Sequence, residues 1–135
     1  MIAFSEIFNE NYQYYLKNID YKVITIGHID KNIVISIKDT ISHKILSSNE
    51  FILEVNRNVN FHPDQLYNLS ITFEAVLSIK NIDKINNINW DDEFRKNPVF
   101  AKIIQGLLSR ISMQIAQITS SYGQNPLVTP PSLIE

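Results

Sequence analysis

Three histidines and one short acidic run are the residues of this chain whose chemistry could support catalysis or metal binding. His28, His43 and His62 lie 15 and 19 residues apart, so no two of them have the HxH or HxxxH spacing of a metal site. The run 91–93, of sequence DDE, lies shortly before a predicted helix, where negative charges interact favourably with the helix dipole. We therefore interpret the histidines as loop or strand-end surface residues and the run as a solvated stretch, and we expect no metal site.

Motifs that activate a nucleophile or hold a phosphate are missing from the sequence. The chain has no cysteine, which excludes disulfides, a thiol nucleophile and thiolate metal ligands. It has three glycines and no GxGxxG, P-loop or GxSxG motif, so a phosphate-binding loop is not expected. These observations predict a protein without catalytic residues or cofactors, that is, not an enzyme.

The composition predicts one globular domain over residues 1–135. Hydrophobic residues make up 44% of the chain and charged residues only 19%, which is apolar for a soluble monomer. No run approaches the roughly 20 apolar residues of a membrane span, and the N-terminus lacks the basic start and the cleavage site of an export signal. We expect a cytoplasmic protein that does not insert into membranes.

The charge balance disfavours nucleic acid as a partner. The chain carries 12 basic and 14 acidic residues, for a net charge of −2, and the basic residues are scattered. Four tyrosines near the N-terminus could stack on single-stranded nucleic acid, but no basic groove accompanies them: Tyr12, Tyr14, Tyr15 and Tyr21. Core packing and an apolar binding surface are the two roles that we favour for these tyrosines.

Four segments show the alternation of apolar and polar residues that predicts β-strands. They cover 12–26, 33–46, 51–56 and 69–79 and are separated by residues typical of turns. Because consecutive strands joined by short turns usually pair, we expect an antiparallel meander. Residues 81–97 are polar and Asn-rich and predict a crossover loop with at most one short helical turn.

A long amphipathic helix is predicted over 97–120, with Asn97 as its N-cap. Its apolar residues step by three or four positions and form one stripe: Phe100, Ile104, Leu107, Ile111, Ile115 and Ile118. Gly123 suits the end of the helix, and the prolines in 126–131 predict an extended tail. The sequence thus predicts an α+β fold in which one long C-terminal helix covers a four-stranded sheet. Because one helix covers one of two sheet faces, a second subunit or a ligand is expected on the remaining apolar surface.

Three segments resemble the SecB export chaperone and its SecB-like relatives. YLKNIDYK at 15–22 is similar to the first strand of that family, and LSITFEAVLSI at 69–79 is similar to its last strand. ISMQIAQITSSYGQNPLVTPP at 111–131 is similar to the family's helix and the apolar Pro segment after it. The order of four strands, one long helix and an extended end is also that of the family, so the resemblance covers most of residues 12–134.

The resemblance implies a cytoplasmic homotetramer, a dimer of dimers, that binds unfolded polypeptides in long apolar grooves without ATP. By analogy, the groove is expected to involve Tyr14, Leu16, Tyr21, Leu108, Tyr122, Leu127 and Val128. Five residues of the helix stripe are expected to pack in the core or between subunits: Phe100, Ile104, Leu107, Ile111 and Ile115. Protein transport and the protection of a labile antitoxin are the two roles that the family offers.

The sequence departs from the family where classical export chaperones dock the SecA motor. Glu74 matches one docking acid, but Asn18 and Lys22 stand where the family's first strand has acids. Because charges at the rim of an interface steer association, docking to SecA should be weakened. Antitoxin protection therefore fits the departures better than plain export targeting. The alternative is a structural or adaptor subunit that binds one dedicated folded partner through its apolar face.

Overall fold

The computed structural model describes residues 1–24, 32–47, 49–120 and 126–134 of the chain. The elements, in chain order, are α1 Phe4–Ile7, β1 Phe8–Val23, β2 Val34–Leu46, β3 Glu50–His62, β4 Tyr67–Ile79, a 3₁₀ turn at Ile82–Lys84, α2 Trp90–Lys96 and α3 Pro98–Ser120. The four predicted strands and the long helix are confirmed, although β1 begins earlier and β3 ends later than predicted. The predicted helix end at Gly123 lies outside the described residues.

The strands form one antiparallel sheet in the order β1-β4-β3-β2. The hairpins β2–β3 and β3–β4 follow the predicted meander, but β1 pairs with β4 instead of β2, which makes the sheet a Greek key. The meander prediction was wrong for β1 because alternation within a strand does not specify its neighbours. The two central strands, β3 and β4, are largely buried, whereas the edge strands β1 and β2 are largely exposed.

The long helix α3 covers the inner face of the two central strands, whose apolar residues form the core. It begins as predicted: the Asn97 side-chain oxygen accepts a hydrogen bond from the Val99 amide at 3.1 Å. Five residues of its stripe are at most 4% exposed and fill the core of this chain: Phe100, Ile104, Leu107, Ile111 and Ile115. A contact of these five residues with another subunit stays a prediction.

The short helix α2 lies in the segment that the sequence predicts as a crossover loop. Asn89 caps it, since its side-chain oxygen accepts a hydrogen bond from the Asp92 amide at 3.3 Å. Trp90 and Phe94 of α2 join an aromatic cluster at one end of the core, where the ring of Trp90 lies 4.7 Å from that of Phe51. The helix therefore packs at the same end of the core as Phe100, in the first turn of α3.

The described histidines occupy different environments. His43 lies within β2 and not at a strand end, which corrects the sequence interpretation, and its ring stacks on Phe51 with centroids 5.4 Å apart. Burial lowers the pKa of His43, and the nearby charge of Asp91 opposes that shift. His62 ends β3 and is exposed, as expected, and His28 lies outside the described residues.

The acidic run at 91–93 is not entirely solvated, contrary to the sequence interpretation. Glu93 is 6% exposed and accepts hydrogen bonds from the Ile2 amide and the Asn97 side chain, both at 3.0 Å. The Asn97 amide group also donates to the Ile2 carbonyl at 3.2 Å. Glu93 therefore holds the N-terminal segment against the junction of α2 and α3, and both of its carboxylate oxygens accept hydrogen bonds.

Candidate functional site

The inner face of β1 carries a row of apolar side chains that stays largely exposed beside α3. This β1 row consists of the residues between 12 and 23 that face buried apolar or aromatic residues on β4: Tyr12, Tyr14, Leu16, Ile19, Tyr21 and Val23. All except Tyr21 are 37–45% exposed, whereas their β4 partners are at most 6% exposed. Tyr21 is half-buried against Tyr67, with ring centroids 5.4 Å apart. The row is therefore apolar surface that this chain leaves exposed to solvent.

A β-bulge keeps the row on one face of the sheet. The register shifts between Leu16, which faces Phe73, and Asn18, which faces Thr72, so that β1 carries one extra residue. Ile19 consequently faces Ile71 and points to the same side as Leu16. Without the extra residue, the alternation would send the second half of the row to the outer face.

The row lies between α3 and the free edge of the sheet. On the helix side, the Arg110 guanidinium lies over the Tyr14 ring, 4.4 Å from its centroid, in a cation–π contact. On the other side, β1 is the outermost strand of the described sheet and exposes main-chain donors and acceptors along its edge. Row and edge together offer apolar contact and main-chain hydrogen bonds, which is what an extended polypeptide needs.

The opposite flank of α3 holds the tail segment, which we define as residues 126–134. A buried ion pair anchors it: Asp39 of β2 and Arg57 of β3 face each other with fully buried side chains. Two hydrogen bonds of 2.7 and 2.8 Å join the guanidinium to the carboxylate. Ser112 of α3 accepts a further bond from Arg57 at 3.1 Å. We call Asp39, Arg57 and Ser112 the clasp.

The clasp holds the tail segment chiefly through main-chain atoms. The bound groups are the Thr129 hydroxyl, the carbonyls of Pro130 and Ser132 and the Ile134 amide. Ser112 also donates to the Pro130 carbonyl at 3.0 Å. Near the end of α3, the Thr119 hydroxyl accepts from the Leu127 amide at 2.8 Å. The tail segment pairs with no strand of the described sheet, and these bonds hold it in place instead.

The outer face of the sheet is polar and includes Glu74, the predicted docking acid. Glu74 is only 3% exposed, and one of its oxygens accepts a hydrogen bond from the Tyr15 hydroxyl, which raises the pKa of Tyr15. The other oxygen lies 3.4 Å from the Lys17 ammonium without the geometry of a hydrogen bond. Docking through Glu74 stays a prediction, but Tyr15 and Lys17 cover the carboxylate from solvent.

The structure separates the residues that were predicted to form one groove. Tyr14, Leu16 and Tyr21 belong to the β1 row, whereas Leu127 and Val128 lie in the tail segment on the other flank of α3. Val128 is 82% exposed and Leu127 is half-buried.

The remaining predicted groove residues are Leu108 and Tyr122. Leu108 is fully buried in the core, so the structure corrects its placement on a binding surface. Tyr122 lies outside the described residues.

Sequence reasoning missed the clasp. A signal was present, since Arg57 stands between Val55 and Val59, and Asp39 between Ile37 and Ile41. A charge at an inward position of an apolar alternation predicts a buried and paired group.

Within the described ranges, no group of three or more His, Asp or Glu side chains is placed to hold a metal ion. None of the helices in this part of the chain is long and apolar enough to cross a membrane.

A comparison of the sequence with protein-family models and with curated proteins finds no match. Among solved structures, the chain is similar to the Mycobacterium tuberculosis SecB-like chaperone Rv1957 in complex with a ChAD peptide from the Rv1956 HigA1 antitoxin. The TM-score is 0.61, and the match covers 87% of this chain and 83% of that chain at 10% sequence identity. This similarity shows that the chain has the SecB-like fold, as the sequence resemblance implies.

Proposed function

We propose that this chain is a chaperone of the SecB-like type that binds unfolded or extended polypeptides without ATP. The observation that carries the proposal is the β1 row, an apolar strip on a sheet edge whose residues other than Tyr21 are 37–45% exposed. The solved relative in fold, Rv1957, is a chaperone in complex with a peptide, which supports the same use of the fold here.

Binding to the row would follow from elementary contacts. An extended client would pair its main chain with the free edge of β1 and pack alternate apolar side chains against the row. Main-chain pairing is independent of sequence, and the aromatic and aliphatic side chains of the row accept many shapes. Such a surface therefore suits many clients and holds each of them weakly.

The exposed apolar surface of the chain, which extends beyond the row, also favours self-association. We propose a homotetramer, a dimer of dimers, in which part of the exposed apolar surface of each chain is covered by another copy. A net charge of −2 leaves little electrostatic repulsion against assembly. The tetramer would have a mass of about 62 kDa, four times the chain mass of 15.6 kDa.

The cellular role that we favour is cytoplasmic protection of a labile client such as an antitoxin. The solved complex of Rv1957 with a peptide of the HigA1 antitoxin supports this choice. A part in protein transport through SecA is less favoured, because Asn18 and Lys22 remove acidic charge from β1 and Glu74 is covered. Nucleic-acid binding, membrane insertion and catalysis form no part of the proposal.

The alternative is a non-catalytic adaptor subunit that binds one dedicated folded partner through the same apolar face. The row supports this function equally well, because an apolar strip on a sheet edge can also dock a folded domain. Promiscuity separates the two functions: a chaperone binds several unrelated denatured proteins, whereas an adaptor ignores them.

The experiment is suppression of aggregation of thermally denatured citrate synthase, measured by light scattering with and without ATP. The chain should suppress scattering equally in both cases. Leu16→Ser, which removes an apolar side chain of the row, should weaken binding to the client about fivefold, which corresponds to roughly 1 kcal/mol. Gln13→Ser, an exposed change on the outer side of the same strand, is the matched control.

Two results would contradict the proposal. A chain that leaves scattering unchanged is not a holdase, and equal effects of Leu16→Ser and Gln13→Ser would remove the row from the binding site. Size-exclusion chromatography with light scattering would test the tetramer, and a monomer at micromolar concentration would refute it.

A further inference from the structure

The clasp has the features of a peptide-binding site and not those of paired β-strands. Its three side chains come from β2, β3 and α3, and the side chains of Asp39 and Arg57 are fully buried. Burying a charged pair is costly unless the remaining donors and acceptors are satisfied. In this chain the tail segment satisfies them, since Arg57 binds two tail carbonyls and Asp39 binds a tail amide.

The bonds from the clasp to the tail segment fall mostly on groups that every polypeptide has. Pro130 and Ser132 contribute only their carbonyls, and Ile134 contributes only its amide. Thr129 is the tail residue whose side chain the clasp binds, with 3.0 Å between its hydroxyl and Arg57. The clasp therefore recognises an extended main chain and requires few particular side chains.

Apolar packing adds little to the hold on the tail segment. Val128 is 82% exposed, and the stretch 130–132 is exposed as well. Leu127 and Leu133 are only half-buried against the core. A segment with few buried apolar contacts opens at low free energy, so the polar bonds of the clasp decide whether the tail segment stays in place.

We infer that the clasp is a second binding site for extended polypeptide, filled by the chain's own tail segment, and that a client segment competes with the tail for it. The inference rests on the proposed function, because it requires that the chain bind clients. The tail then acts as a tethered competitor, and the apparent Kd for a client equals the intrinsic Kd divided by the fraction of open clasps.

A reversible lock tests the inference. The Ser112 and Thr129 hydroxyl oxygens are 3.0 Å apart, and the chain has no other cysteine, so Ser112→Cys with Thr129→Cys can form one disulfide that fixes the tail on α3. The probe is fluorescein-labelled, reduced and carboxymethylated α-lactalbumin, which is permanently unfolded. Oxidation should raise its Kd at least tenfold, and a reductant should restore it. The two single-cysteine variants under the same oxidising conditions are the controls.

Two matched variants, each lacking one hydroxyl of the tail segment, test the opposite effect, which is easier release of the tail from the clasp. Thr129→Val removes the hydroxyl that bonds to Arg57 and Ser112. It should lower the Kd of the probe at least tenfold, since a hydrogen bond to a charged group alone contributes about that factor. Ser132→Ala removes an exposed hydroxyl from the same segment but keeps the carbonyl that the clasp binds, and should leave the Kd unchanged.

The outcomes separate this inference from the proposed function. If the wild-type chain binds the probe and the oxidised lock binds it equally well, the second site is refuted and the proposed function stands. The same holds if the disulfide does not form in the folded chain, or if Thr129→Val and Ser132→Ala have equal effects. If neither the wild-type chain nor Thr129→Val binds the probe, both proposals fail.

Discussion

Replacing Arg57 by methionine should be one of the most destabilising single changes in this chain. The substitution leaves the buried Asp39 carboxylate with the Ile134 amide as its remaining described partner. Removing one member of a buried ion pair costs about 3–5 kcal/mol, because the other charge stays buried without compensation. Since the free energy of unfolding of a domain is about 5–15 kcal/mol, the expected loss is a large fraction of the total.

The double variant Asp39→Leu/Arg57→Met should recover most of that loss. No charge is then left alone, and buried pairs replaced by apolar residues of similar volume are often neutral in stability. Both variants lose the bonds from Arg57 to the tail segment, so this contribution largely cancels when the two are compared. The difference between the single and the double variant therefore measures the cost of the unpaired carboxylate.

Urea unfolding followed by tryptophan fluorescence measures these differences. Trp90, the single tryptophan, lies in the aromatic cluster and reports on the core. All variants are compared at one protein concentration, because association would add to the apparent stability. Lys38→Met, a change of an exposed cation on β2, is the control and should stay within about 0.5 kcal/mol of wild type. A loss below about 1 kcal/mol for Arg57→Met, or a double variant no more stable than the single one, would refute the reasoning.

Three further predictions concern other parts of the chain. Burial lowers the pKa of His43, so near pH 6 the unfolded chain binds more protons than the folded chain. The free energy of unfolding should therefore fall as the pH drops from 7.5 to 5. Urea unfolding curves of His43→Phe should show a weaker pH dependence. Tyr15→Phe removes the donor to the buried Glu74 carboxylate and should cost about 1 kcal/mol in urea unfolding, discounted because the tyrosine is half exposed. Leu108→Ala should lower the free energy of unfolding by about 2–5 kcal/mol in the same assay, and Val128→Ala by less than about 0.5 kcal/mol. A small loss for Leu108→Ala would instead support a place for Leu108 on the binding surface.

The elements that local patterns determine were predictable from sequence. The strand β4 reads as an uninterrupted alternation, and Asn97 followed by proline marks the start of α3 by the chemistry of its cap. The burial of Leu108 was also readable, because it lies four residues after Ile104 and three before Ile111, on the apolar stripe. Its placement in the groove came from the family resemblance and not from this spacing.

The features that depend on distant partners were not predictable. The pairing of β1 with β4 joins residues about 60 positions apart, such as Tyr14 and Ala75, and no local pattern specifies it. The helix α2 is seven residues long, and tertiary packing of Trp90 and Phe94 stabilises it more than its Asn-rich surroundings suggest. The clasp is of the same kind, since Asp39 and Arg57 find each other across β2 and β3 and the tail joins them from the far end of the chain.

The size of the β1 row limits what one chain can do alone. Six partly exposed side chains, each gaining about 1 kcal/mol on full burial, offer roughly 6 kcal/mol before the client loses any freedom. Ordering an extended client and its side chains offsets part of this, so a single row should give a Kd no tighter than about 0.1 mM. A useful affinity for an unfolded chain then requires several rows that bind one client at once, because linked sites multiply affinity without new contacts. The proposed homotetramer meets this requirement by repeating the row, and the clasp would add a polar site on each subunit. Client affinity should therefore fall steeply when the assembly is diluted into monomers, and an unchanged Kd per chain across that transition would refute the multivalent account.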